Sequence, residues 1–125
     1  DQTNQKTILI IEDEVSQGTA LQIALEKAGY KFEIAYDAKE GIDQVVKIVP
    51  SLVLLDLLLA GVDGTHILAS INREAHLKHI PVIILTNVAN SVNAKSIMHD
   101  KDYYMTKTNS SLKEIVEKVN EILKS

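Results

Sequence analysis

Leu52-Val53-Leu54-Leu55-Asp56-Leu57-Leu58-Leu59 is a run in which seven apolar residues surround a single carboxylate. A strand with one solvated face alternates apolar with polar residues. A strand that is apolar at every position is covered on both faces, the habit of parallel sheets flanked by helices. Working outward, similar runs recur at 7–11 and 82–85, with further strand candidates at 31–36 and, the weakest, 103–105. Segments of helical period separate them.

The first such segment carries Leu21, Ala24, Leu25 and Ala28 at i, i+3, i+4 and i+7, with Gly29 where a helix ends. In the second, Asp37 with Glu40 three residues on marks a start. Ala38, Ile42, Val45, Val46 and Val49 make the apolar stripe, and Pro50 closes it. A third helix is expected over 65–75, with Ile67, Leu68 and Ile71 inward, and a short fourth around 90–99. The fifth opens on Ser111 and Glu114, a capping box, and presents Leu112, Ile115, Val116, Val119, Ile122 and Leu123 on one face. Five βα units in succession predict an α/β, doubly wound, parallel five-stranded sheet of flavodoxin-like type, in spatial order 2-1-3-4-5.

Composition narrows the function. The 125 residues suit one domain, expected over 6–124, with 46% hydrophobic content to build a core. The polar start 1–5, without an initiator Met, reads as a disordered or appended end. A net charge of −4 without a basic run gives no footprint for a phosphate backbone, so direct nucleic-acid binding is not expected. The absence of cysteine excludes disulfides, thiolate catalysis and sulfur-ligated zinc. No apolar run approaches the ~20 residues of a membrane span, and a cytoplasmic location is expected.

In open parallel sheets, ligands bind beyond the carboxyl ends of the strands. Here those ends run into Glu12, Asp13 and Glu14 after the first strand, Asp56 after the third, Thr86 after the fourth and Lys107 after the fifth. If the first and third strands are neighbours, Glu12, Asp13 and Asp56 converge, and their mutual repulsion calls for a cation or a proton. A hard divalent ion with oxygen ligands, Mg2+ before others, is the natural occupant. Asp13, Asp56 and the backbone carbonyl of Leu58 are the expected direct ligands, with Glu12 acting through water. A carboxylate can accept a phosphoryl group as a nucleophile, which gives Asp56 a role in its apolar surroundings. Thr86 can donate a hydroxyl to one phosphoryl oxygen, and Lys107 can offer positive charge to another.

With those residues in place, the chain resembles the receiver domain of two-component response regulators from about residue 6 to residue 123. The acidic pair matches Glu12-Asp13 after Ile8-Leu9-Ile10-Ile11, and the acceptor strand matches Leu54-Leu55-Asp56. The hydroxyl position matches Thr86, the switch aromatic Tyr104 and the lysine Lys107. The resemblance implies phosphorylation of Asp56 by a sensor histidine kinase or phosphotransfer protein, Mg2+ dependence, a switch through Thr86 and Tyr104, and an unknown downstream protein target. It implies no enzyme beyond the domain's own phosphorylation and dephosphorylation, and a monomer or weak homodimer. A stand-alone regulator is the favoured arrangement. Ala60 and Thr108 stand where such domains commonly carry proline, and Asn87 where they carry a small residue.

Plainer readings exist for each residue. Acidic residues after a strand often serve as solvated loops or caps, which is how Glu14 and Asp63 are read. Tyr104 alone could be core packing, and His76 with His79, three apart and without a further ligand, read as surface. Two rival functions remain. A pseudo-receiver would bind partners without being phosphorylated. An aspartate-nucleophile phosphohydrolase would usually carry a second Asp two residues after the nucleophile, where this chain has Leu58.

Overall fold

The computed structural model describes residues 6–56, 58–59, 62–63, 65–86, 98–106 and 110–124. Five parallel strands form one sheet: β1 (Thr7–Ile11), β2 (Lys31–Ala35), β3 (Leu52–Asp56), β6 (Val82–Thr86) and β7 (Tyr103–Thr106). Their spatial order is β2-β1-β3-β6-β7, which is 2-1-3-4-5 counted along the chain. A two-stranded antiparallel pair, β4 (Leu58–Leu59) and β5 (Val62–Asp63), follows β3, with Leu58 opposite Asp63. The sequence pattern gives no hint of that pair, because two-residue strands are too short to show a period. Asp63, expected as a helix cap, belongs to β5.

Four helices lie among the described residues: α1 (Val15–Lys27), α2 (Ala38–Ile48), α3 (Thr65–Arg73) and α4 (Leu112–Lys124). Residues 90–97 of the expected fourth helix lie outside the described residues, and Met98 and His99 are not helical.

The continuous apolar strands are explained by their two faces. Leu9, Ile11, Val53, Leu55, Val82 and Ile84 pack with α2 and α3 through Ala38, Val45, Ile67, Leu68 and Ile71. Ile8, Ile10, Leu52, Leu54, Ile83 and Leu85 pack with α1 and α4 through Leu21, Leu25, Ile115 and Val119. Successive side chains point to opposite faces, so a strand buried twice needs apolar residues at every position.

The helix boundaries follow their capping residues. Gly29, at φ 96°, supplies the left-handed residue beyond α1. At α2 the Asp37 side chain accepts from Glu40 N–H at 2.8 Å, and the Glu40 carboxylate accepts from Tyr36 N–H at 2.9 Å. Ser111 and Glu114 make both bonds of the capping box, each at 3.2 Å. The expected stripe of α2 is partly wrong. Val46 is 53% and Val49 43% exposed, while Gly41 is buried with Ala38 and Val45. Val49 has left the helix for a left-handed conformation at φ 43°, and Val46 falls beside the buried line and not on it. Leu112, at the exposed start of α4, also departs from its expected face.

Two polar groups inside this frame have structural work. Asp102, whose side chain is fully buried, accepts from Val82 N–H at 3.1 Å, His99 N–H at 3.0 Å and the Asn72 amide at 3.1 Å, and pairs with Lys101. It fastens the amino ends of β6 and β7 to α3. The Tyr30 hydroxyl, in a buried residue just before β2, donates to Asn120 Oδ1 on α4 at 2.5 Å.

Burial raises the Tyr30 hydroxyl above its ordinary value of 10.0. The unfolded chain therefore loses this proton first as pH rises, and the contribution of Tyr30 to stability, complete below about 10, declines above it. Tyr30→Phe is expected to lower stability by about 1 kcal/mol at neutral pH. It should also flatten part of the alkaline decline, as read by urea unfolding at neutral pH and above pH 10. An unchanged alkaline slope would assign that decline to other groups.

Candidate functional site

Parallel strands aligned in one direction bring all their carboxyl ends to one rim, and β1 and β3 are adjacent, with Ile11 paired to Leu55. The residues that follow them are therefore neighbours. One carboxylate oxygen from each of Glu12, Asp13 and Asp56 lies within 4.8 Å of the others. Glu12 is 2% and Asp56 8% exposed, while Asp13 is half-buried.

The backbone holds these side chains in place. Glu12 N–H donates to Ala35 O at 3.0 Å, continuing the β1–β2 ladder one residue past the strand. Glu14 N–H donates to Glu12 Oε2 at 3.3 Å, which turns the Glu12 carboxylate back toward its own loop. Asp56 ends β3 opposite Leu85 of β6, so pairing fixes the chain up to and including it. Glu14 is exposed, and its side chain makes no cap bond to α1.

The remaining expected residues are placed unevenly. Thr86 ends β6 opposite Thr106 of β7, on the same rim; its side chain lies outside what the structure describes. Tyr104 is half-buried on β7, paired to Ile84, and packs against the α2–α3 side of the core. Lys107 lies outside the described residues, immediately after the last residue of β7. Leu58 is the first residue of β4, two positions beyond Asp56. Ala60, Asn87 and Thr108 lie outside the described residues. His76 and His79 are exposed, in keeping with a surface reading.

Chemically, three clustered carboxylates, two of them buried, suit a small hard cation bound through oxygen. Their fit to Mg2+ rests on this donor set. The sequence reading missed Asp102, whose burial depends on partners at Asn72 and Val82, far away along the chain; no local pattern announces it. It also missed Gly41, which sits on the buried side of α2 against Ile11.

Residues 8–120 match the response regulator receiver domain family. The chain is 32% identical over 120 residues to the phosphate regulon transcriptional regulatory protein PhoB of Pseudomonas aeruginosa, covering 95% of this chain and 52% of that protein. It thus spans about half the length of the curated relatives it matches. Among solved structures, a CheY-like response regulator receiver domain protein from Methanospirillum hungatei superposes with a TM-score of 0.85 at 28% identity, over 96% of this chain and 94% of that one. The signal receiver domain of a signal transduction histidine kinase from Syntrophus aciditrophicus gives 0.85 at 27% identity, over 95% and 90%. No helix among the described residues is long and apolar enough to cross a membrane. Family, strand order and acidic rim agree: the chain belongs to the response regulator receiver domains, the phosphoacceptor signalling domains of two-component systems.

Proposed function

We propose that residues 6–124 form the receiver unit and that Asp56 is its phosphoryl acceptor. The observation that carries this reading is the convergence of Glu12, Asp13 and Asp56 within 4.8 Å at the carboxyl ends of β1 and β3. An Asp56 oxygen attacks the phosphorus of a phosphorylated histidine on a sensor kinase or phosphotransfer protein, and the imidazole nitrogen leaves.

Asp13 and Asp56, with the Leu58 carbonyl, would hold Mg2+ directly, and Glu12 would act through water. The ion, when bound, supplies positive charge against the phosphoryl oxygens. Glu12 and Asp13 keep that charge at the rim. Lys107 and the Thr86 hydroxyl would engage the remaining phosphoryl oxygens, and Thr86 with Tyr104 would carry the change to a protein-binding surface. Catalysis by this chain is then confined to gaining and losing its own phosphoryl group. A cytoplasmic location accompanies this reading, as does a downstream target that is a protein. The acidic net charge argues against direct nucleic-acid contact by this domain.

Incubation with a small phosphodonor and Mg2+ tests the reading. A receiver retains about one phosphoryl group, with Asp56 as the modified residue by peptide mass mapping. Sustained phosphate release at a rate far above single turnover would point to a phosphohydrolase. Absence of both label and turnover would leave a pseudo-receiver.

A further inference from the structure

Just ahead of the acidic rim, α2 approaches β1 so closely that a β-carbon at Gly41 would force the Ile11 side chain to shift. Gly41 lies on the buried side of α2, where a β-carbon would sit 2.9 Å from Ile11 Cδ1, 3.1 Å from Cγ2 and 3.3 Å from Cγ1. Contacts that short require a neighbour to shift: Cδ1 is the end of the Ile11 side chain and can swing aside, but Cγ2 and Cγ1 are bonded to the β-carbon and move only with a change of rotamer or of the backbone. Ile11 is fully buried and paired on both sides, to Ala35 of β2 and Leu55 of β3. The start of α2 is tied to the end of β2 by the Asp37–Glu40 and Glu40–Tyr36 bonds. Protein interiors transmit such strain because they are close-packed. The residues directly after Ile11 are Glu12 and Asp13.

We infer that Gly41 is a positioning residue for the acidic rim. Its missing side chain lets α2 close on Ile11, and that contact sets where β1 delivers the Glu12 and Asp13 carboxylates. Gly41 touches neither a cation nor a phosphoryl group; it acts through Ile11. The inference rests on the proposed metal-binding role of Glu12 and Asp13 for its functional consequence, but its structural part stands apart from that role.

The experiment compares the parent with Gly41→Ala, Ile11→Val and the double variant, since Ile11→Val deletes the Cδ1 that the new methyl group would strike. Two readouts are needed: backbone amide NMR of the metal-free proteins, and Mg2+ affinity by titration calorimetry. Gly41→Ala is expected to displace the Glu12 and Asp13 amide resonances and to weaken Mg2+ binding about tenfold, the scale seen when support for metal ligands is disturbed. Valine keeps the two γ-carbons, so the double variant should bring both readouts most of the way back to those of Ile11→Val alone, a recovery that general loss of stability would not give. Should Gly41→Ala fail to fold, a folded double variant with restored amides supports the inference, and one that also fails to fold overturns it. Glu12 and Asp13 amides unmoved in Gly41→Ala, or changes confined to α2, likewise overturn it. A parent that binds no Mg2+ refutes the metal reading of the rim, while the amide comparison still decides the role of Gly41.

Discussion

Asp56→Asn is expected to take up no phosphoryl label from a small phosphodonor under conditions in which the parent is fully modified. The amide nitrogen and oxygen of asparagine are far weaker nucleophiles than a carboxylate, and the shape of the side chain is preserved, so the loss is chemical and not structural. A second effect follows from charge. Asp56 is 8% exposed and clustered with Glu12 and Asp13, so removing its charge relieves repulsion among three acidic groups. Without metal, the Asn variant should be more stable than the parent by about 1 kcal/mol, the scale of a like-charge contact at a partly screened site. Added Mg2+ should narrow that gap, because it stabilises the parent more. Urea unfolding with and without Mg2+ measures this, and label retained on Asp56→Asn at the parental rate would remove Asp56 as the acceptor.

The largest stability effect is expected at the other end of the sheet. Asp102→Ala takes one acceptor from Val82 N–H, His99 N–H and the Asn72 amide together, and from Lys101. Each buried donor left unmatched costs roughly 1–3 kcal/mol, tempered where water can enter. Lys101 is partly exposed and can turn its ammonium to solvent, so it adds little. A loss of about 3 kcal/mol is expected, with an unchanged urea m-value, because the surface exposed on unfolding is the same. Asp102→Asn keeps one carbonyl acceptor and should lose about half as much. A loss below about 1 kcal/mol for the alanine variant would mean that water replaces the carboxylate.

The two ends of the sheet differ in how readily the sequence discloses them. Glu12, Asp13 and Asp56 were legible because a parallel sheet sends every strand's carboxyl end to one rim, so a polar residue after an apolar run already has an address. The strands themselves were legible from Ile8–Ile11 and Leu52–Leu55, where burial on both faces removes the polar alternation. The α2 stripe was less so. Val46 and Val49 are apolar without being buried, while Gly41, with no hydrophobicity to register, is buried where an added β-carbon would press on Ile11. Asp102 was invisible for a different reason: its surroundings are assembled from α3, β6 and the chain before β7, and an aspartate beside a lysine reads as surface. The β4–β5 pair escaped because its pattern is shorter than any period.

Val49 carries one more consequence. A β-branched residue at φ 43° is held there by the neighbouring structure against its own preference, just ahead of Pro50, where a helix cannot continue. Glycine or asparagine would adopt that conformation with less strain, by about 1 kcal/mol. For anyone engineering this molecule, the position is an untapped reserve. It sits after α2, at the start of the turn into β3 and away from the acidic rim. A stabilised Val49→Gly or Val49→Asn background could carry rim substitutions that the parent chain would not survive.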